Sequence, residues 1–234
     1  KHLMKIALIV AMTSEYEQVK ALLTNAGDQQ TGPFTCVTGN IREAEIVLMQ
    51  CGLGKVNAAS GATELIRTFH PDYLISTGVA GGIDDCLRVM DVVVSRSLVY
   101  HDMWCGPGNV RGEVQGVAKS FEGDRDMARV AMALPCDTKV HGGLICTGDQ
   151  FITDKEELRD IKAAFPDALA VDMESCAIAH VAYLYHVPFI SFRIISDTPG
   201  TDGHQQQWED FWVQLAEGSF NVTRTFLEQL TTMR

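Results

Sequence analysis

The chain has 234 residues, 46% of them apolar and 21% charged, with a formal net charge of -11 at pH 7. That length and apolar content suit one α/β domain with an ample core. The acidic balance argues against nucleic acid or an anionic membrane as partner, and no apolar run approaches the ~18 residues needed to span a bilayer.

Lys1, His2 and Leu3 read as a cloning remnant, with Met4 the natural start. Residues 4–234 are expected to form one domain, without linker, repeat or low-complexity tract. The seven cysteines are scattered and include no CxxC pair, which predicts reduced thiols in a cytoplasmic protein rather than disulfides or a zinc site. The histidines lack ligand spacing and are read as surface or core residues.

Met4–Ala11 (MKIALIVA) is a buried strand, followed by an amphipathic helix from Glu15 that Thr13 or Ser14 can cap. Glu15 suits a first helical turn, where the macrodipole favours a carboxylate. Its place beyond a strand's carboxyl end also admits a functional role. Strands near 35–39 and 46–50 form a hairpin, and the glycine turn Gly52-Leu53-Gly54 opens a helix of small residues. That turn admits phosphate, although it lacks the spacing of a P-loop or dinucleotide fingerprint. The strand Asp72–Thr77 ends in Gly78-Val79-Ala80-Gly81-Gly82, and Asp91–Val94 runs on towards Tyr100-His101-Asp102.

The glycine-rich stretch 103–124 reads as a long loop, functional or mobile. A helix over 125–134 and a strand over 142–147 lead to Gly148-Asp149-Gln150-Phe151-Ile152. Asp154 caps a charged helix to Phe165. The stretch Ala168–Gly200 then reads strand, helix, strand, and a helical region from about Gln206, bent near Gly218, closes the chain. Near-continuous apolar runs such as Pro188–Ile195 belong to strands covered on both faces, and such sheets bind ligands beyond the strands' carboxyl ends. Glu174 and Asp197 are therefore expected as paired carboxylates at neighbouring strand ends. Turn formation accounts equally for Asp197 before Thr-Pro-Gly, helix initiation for Glu174, and core packing for Phe151 and Met173. Arg193 within its apolar strand requires a carboxylate partner.

Taken in order, these segments resemble one family. From Lys5-Ile6 through Met12 and Glu15, Gly52-Leu53-Gly54-Lys55-Val56, Thr77–Gly82, Tyr100-His101-Asp102, Gly148–Phe151, Val171–Glu174 and Arg193–Asp197, the chain is similar to bacterial 5'-methylthioadenosine/S-adenosylhomocysteine nucleosidases of the purine nucleoside phosphorylase superfamily. The resemblance implies a three-layer α/β/α sandwich with a mixed central sheet, a homodimer, a small nucleoside substrate, and neither cofactor nor metal. It implies Asp197 as the general acid at adenine N7 and Glu15 as the residue that positions and deprotonates water. Glu174, with the Met173 backbone, would hold the ribose. Phe151 would stack on the purine and the Ile152 backbone read its edge, with Arg193, Ser196 and Val79 near the reacting atoms. Met12 and Leu53 stand near the expected 5' pocket.

The chemistry agrees. Glycosidic cleavage builds negative charge on the base and positive charge on the sugar, so an acid at N7 and carboxylates by the ribose both help. Asp197 must then stay protonated, through desolvation or the negative charges of Glu15 and Glu174, with Arg193 opposing. Three departures stand out: Val79 replaces a serine common in the family, Asp172 replaces a glutamate, and 103–117 lacks the family's apolar lining, leaving only Trp104 and Cys105. Trp208, Phe211 and Trp212 share one helical face, and Trp208, more weakly Trp104, is expected to close over the 5' substituent, with 198–207 as a lid. The alternatives are a futalosine-type nucleosidase, a phosphorylase, or a non-catalytic nucleoside-binding protein. The first loop and the Gly78–Gly82 loop contain no arginine, which disfavours phosphate.

Overall fold

A computed structural model of the chain describes residues 3–216 and 221–233. The elements run β1 (Lys5–Val10), α1 (Thr13–Lys20), β2 (Thr24–Thr31), β3 (Phe34–Ile41), β4 (Ala44–Gln50), α2 (Lys55–Phe69), β5 (Tyr73–Gly82), β6 (Val92–Tyr100) and β7 (Phe121–Glu122). They continue with α3 (Arg125–Met132), β8 (Val140–Thr147), α4 (Lys155–Ala164), β9 (Ala168–Asp172), α5 (Ser175–Tyr185), β10 (Phe189–Asp197), α6 (His204–Ala216) and α7 (Asn221–Leu230).

Alternation along each buried strand builds two cores, one on each face of the sheet. In β1, Ala7 and Ile9 join the cluster that holds Ala58, Ala62 and Leu65 of α2 and Ile178 and Ala182 of α5. Ile6, Leu8 and Val10 join Tyr16 of α1, Met127 of α3, Phe211 of α6 and Phe226 of α7 on the other face. Period-two side chains buried on both faces account for the unbroken apolar runs. The result is the three-layer α/β/α arrangement expected.

The sheet is mixed and branches at β5. Residues 73–76 of β5 pair with β1, and Leu74–Gly81 pair with β10, both in parallel. The last two residues, Gly81 and Gly82, pair antiparallel with β9. Since β10, β6, β8 and β9 are joined in turn, five strands close on themselves and β1-β4-β3-β2 extends as a wing.

Two local expectations are corrected. Strand β2 was not foreseen, because seven of its eight residues are exposed and no apolar alternation marks it; its pairing with β3 supplies the strand. Neither Thr13 nor Ser14 caps α1. Helix α1 starts at Thr13 with Met12 at the cap position, and the Glu15 carboxylate reaches back to the Met12 N–H. The expected bend near Gly218 lies outside the described residues. Asp154 does cap α4, accepting from the Glu156 N–H. No helix among the described residues is long and apolar enough to cross a membrane.

Candidate active site

Segments within or just beyond six strands meet around one cavity of about 380 Å³. β1 hands over Met12 and Glu15, the turn after β4 brings Leu53, and β5 contributes Val79. The loop after β8 supplies Phe151 and Ile152, the end of β9 leads to Met173 and Glu174, and β10 ends in Ser196 and Asp197; Trp208 of α6 completes the wall. Strands β9 and β10 are not neighbours as expected. Both pair with β5 at Gly81, whose partners are Val171 and Asp197, so β5 brings the two carboxylate-bearing ends together.

Glu15 is 1% exposed, and three backbone N–H groups hold its carboxylate. Oε2 accepts from the Ala11 and Met12 N–H groups, both at 3.0 Å, and Oε1 accepts from Val79 N–H at 3.0 Å. Val79 thus contributes its backbone to this carboxylate. Gly78, at φ +149°, makes the approach possible: a Cβ there would lie 2.4 Å from Glu15 Oε1 and 2.7 Å from Arg193 Nη1. Burial raises the proton affinity of Glu15, while the Arg193 charge and the backbone donors hold it down.

Arg193, expected near the reacting atoms, does not line the cavity. It lies beneath, 1% exposed, opposite Gly78 on β5. Its Nε is 3.1 Å from Asp172 Oδ2 and donates to Ser175 Oγ (3.0 Å) and Ser191 Oγ (3.2 Å); Nη2 donates to Ser76 Oγ at 2.7 Å. Asp172 also accepts from Thr147 Oγ1 at 2.6 Å and from the Ser175 hydroxyl and N–H. The shorter acid therefore still reaches the guanidinium. A buried ion pair survives only when its remaining polar atoms are bonded, and these serines and the threonine bond them.

The chain matches the family model described as "Phosphorylase superfamily" over residues 5–228. It is 37% identical to a 5'-methylthioadenosine/S-adenosylhomocysteine nucleosidase of Actinobacillus succinogenes, over 97% of this chain and 100% of the relative. A Colwellia psychrerythraea nucleosidase of the same name, solved in complex with adenine, is 33% identical, with a TM-score of 0.90 over 98% of this chain and 96% of that one. A Streptococcus pneumoniae nucleosidase solved with the transition-state inhibitor MT-ImmA gives 33% identity and a TM-score of 0.89, over 97% and 100%. The chain belongs to the 5'-methylthioadenosine/S-adenosylhomocysteine nucleosidase family.

Within this nucleosidase family fold, the remaining carboxylates differ in environment. Glu174 is buried, and desolvation, joined by the charges of Asp172 and Glu15, pushes its pKa up to about 7 against the pull of Arg193 and the Gly54 N–H. Asp197 is also raised, by burial alone; the Ser196 hydroxyl and nearby His204 act in the opposite direction. This corrects the expected balance, since neither Glu15 nor Glu174 nor Arg193 governs Asp197. Ser196 Oγ donates to Asp197 Oδ1 at 2.7 Å, whereas the buried Oδ2 has no partner among the described residues. An unpartnered buried oxygen costs ~1–3 kcal/mol, and the neutral carboxyl carries that cost better than the anion. Burial thereby favours the protonated form of Asp197.

Other expectations about the loops are revised. The N–H groups of the Gly52–Gly54 turn do not await a phosphate: Gly54 N–H donates to Glu174 Oε1 (2.9 Å) and Lys55 N–H to Asp149 Oδ1 (2.7 Å). Trp104 does not reach the cavity. It is 59% exposed, and its indole N–H donates to Asn109 O within a loop that folds back on itself. Trp208 does line the cavity, edge-on to Phe151 at 6.4 Å between ring centroids. The lining also holds Gln150, Pro199 and Gln205, which sequence reasoning placed only within the Gly148–Phe151 motif and the 198–207 segment, without a role of their own. The signal available was their position, flanking Phe151, Asp197 and Trp208.

Proposed function

We propose that this protein hydrolyses the N-glycosidic bond of 5'-methylthioadenosine and S-adenosylhomocysteine, releasing adenine and the 5-thioribose product. The observation that carries the reading is a cavity lined by four buried carboxylates, Glu15, Asp172, Glu174 and Asp197, with no lysine or arginine among its described lining residues. Such a wall suits a neutral nucleoside and a water molecule far better than a phosphate dianion.

In this reading Phe151 stacks on the purine, Ile152 reads its edge through the backbone, and Glu174 with Met173 holds the ribose hydroxyls. Glu15 takes a proton from water as the water oxygen bonds to C1'. The C1'–N9 electron pair leaves with adenine, and Asp197 gives its proton to N7. The proton on Glu15 then restores Asp197 through solvent, so the reaction consumes only water. Each acid or base supplies ~10²–10⁴-fold, and the low-dielectric site that favours charge redistribution supplies more. Arg193 acts from below, keeping Glu15 and Glu174 ionisable. Incubation with methylthioadenosine, with and without phosphate, tests the reading: adenine and methylthioribose should form at a phosphate-independent rate. A phosphate requirement with a sugar 1-phosphate product would overturn it.

The 5' substituent is assigned to Met12, Leu53 and Trp208. Trp208→Ala is expected to lower kcat/KM for methylthioadenosine relative to adenosine by about tenfold, within the range for one lost apolar contact. Equal loss for adenosine, methylthioadenosine and S-adenosylhomocysteine would remove Trp208 from the pocket.

The same proposal treats residues 4–234 as one nucleosidase domain acting in the cytoplasm as a homodimer. Leu53, Val56 and Trp104 are large apolar residues more than half exposed, and apolar side chains of this size supply the surface that a second subunit covers. Light scattering should give twice the chain mass, and a fully active monomer at the same dilution would refute the dimer.

A further inference from the structure

The first N–H groups of a helix have no partner within it, and in α2 two of them are taken by carboxylates from distant parts of the chain. Gly54 N–H holds Glu174 Oε1, and the adjacent Lys55 N–H holds Asp149 Oδ1. Asp149 is itself fixed by its surroundings. Its N–H donates to Asp102 Oδ2 at 2.9 Å, and the Lys55 ammonium bonds both Asp102 oxygens at 2.9 and 2.8 Å and stands 3.6 Å from Asp149 Oδ2. The three residues tie together the turn after β4, the end of β6 and the loop after β8 that carries Phe151 and Ile152.

Gly54 shows how closely this network is fitted. At φ +87° it lies in the left-handed region, and a Cβ would come within 3.0 Å of Asp149 Oδ1. The carboxylate of Asp149 therefore packs against the Cα of the residue whose N–H binds Glu174, and bonds the next N–H along. As a stability device the network is weak, since Lys55, Asp102 and Asp149 remain partly exposed and pairs of that kind contribute ~0–1 kcal/mol. Its geometric consequence is larger, because it sets the direction of a donor to a buried site carboxylate.

We infer that Asp149 is a positioning residue for the sugar end of the site: clamped by Lys55 and Asp102, it orients the Gly54–Lys55 turn so that Glu174 presents its second oxygen to the ribose. The inference rests on the reading of Glu174 as the ribose-binding carboxylate. It separates the two ends of the ligand. Asp149→Ala removes the side-chain acceptor but keeps the backbone N–H that anchors the purine loop to Asp102.

The test compares wild type, Asp149→Ala and Asp149→Asn by methylthioadenosine kinetics, by calorimetric binding of free adenine and, in an Asp197→Asn background that slows turnover, of methylthioadenosine, and by thermal melting. Asp149→Ala should raise KM for methylthioadenosine and lower kcat/KM about tenfold or more, as for loss of a charge-assisted hydrogen bond. Its adenine affinity and melting temperature should stay near wild type. Asp149→Asn, which keeps the oxygen acceptor, should restore most of the nucleoside affinity. Unchanged nucleoside kinetics in Asp149→Ala overturn the inference, and so does a parallel loss of adenine binding and thermal stability, which marks a general structural role. A wild-type protein that binds methylthioadenosine without cleaving it refutes the hydrolase reading instead, and the ratio of nucleoside to adenine affinity still decides the role of Asp149.

Discussion

Asp197→Asn is expected to lower kcat for methylthioadenosine by ~10²–10⁴-fold, the range for one general acid, while adenine still binds with near-native affinity. The amide keeps the size of the carboxyl, retains an oxygen to accept from Ser196 Oγ, and replaces the unpartnered Oδ2 with a donor. It can hydrogen-bond to N7 but has no proton to give. The wild-type pH profile should follow from the same group. Burial raises Asp197 above the ordinary carboxylate range, so the acid form persists at higher pH than usual, and activity is lost as pH rises through its folded-state pKa. That alkaline limb should vanish from the residual activity of Asp197→Asn. Near-native turnover in the purified variant would show that the leaving group is activated elsewhere.

Arg193→Met should have two separable effects. Breaking a buried ion pair by removing one partner destabilises by ~3–5 kcal/mol, because Asp172 would remain buried with only Thr147 and Ser175 as donors. The second effect is electrostatic. Arg193 is the largest influence lowering the proton affinity of both Glu15 and Glu174, so its loss should move the acidic limb of kcat/KM to higher pH. The stability profile changes in the same sense. With Glu174 near 7 when folded and 4.5 as its ordinary value, the folded state holds the extra proton between those values. Stability therefore falls as pH rises through that window, and removing Arg193 should extend the fall upwards. Adding Asp172→Asn should recover much of the stability, since neither charge is then left unpaired, but should return the acidic limb only in part, because Asp172 raises Glu174 and is not among the influences on Glu15. A melting temperature unchanged in Arg193→Met would show that the pair is not closed in solution.

The exposed strand β2 and the apolar strand β10 mark the limits of local pattern. β10 was legible because every residue from Phe189 to Asp197 is buried, and burial on both faces forces apolar character wherever no site intervenes. β2 was not, since its residues gain little from burial and its existence depends on pairing with β3. The same division runs through the site. Glu15, Glu174 and Asp197 were recognisable because each follows a readable strand, and because their order along the chain matches one family. Arg193 announced itself as a charge in an apolar run and so demanded a partner.

From the sequence alone came the α/β class, the family, the carboxylates and the need for a counter-ion to Arg193, all properties of residue type and order along the chain. The tertiary structure decided who meets whom. It named Asp172 as the partner of Arg193, joined the ends of β9 and β10 through Gly81, and gave the Gly54 and Lys55 N–H groups to Glu174 and Asp149. It also left Trp104 outside the cavity and made burial the dominant influence on Asp197. Partners 94 and 120 residues apart, as for Asp149 and Glu174, have no periodicity to record them, and desolvation depends on the packing of every element around a group rather than on its neighbours in the chain.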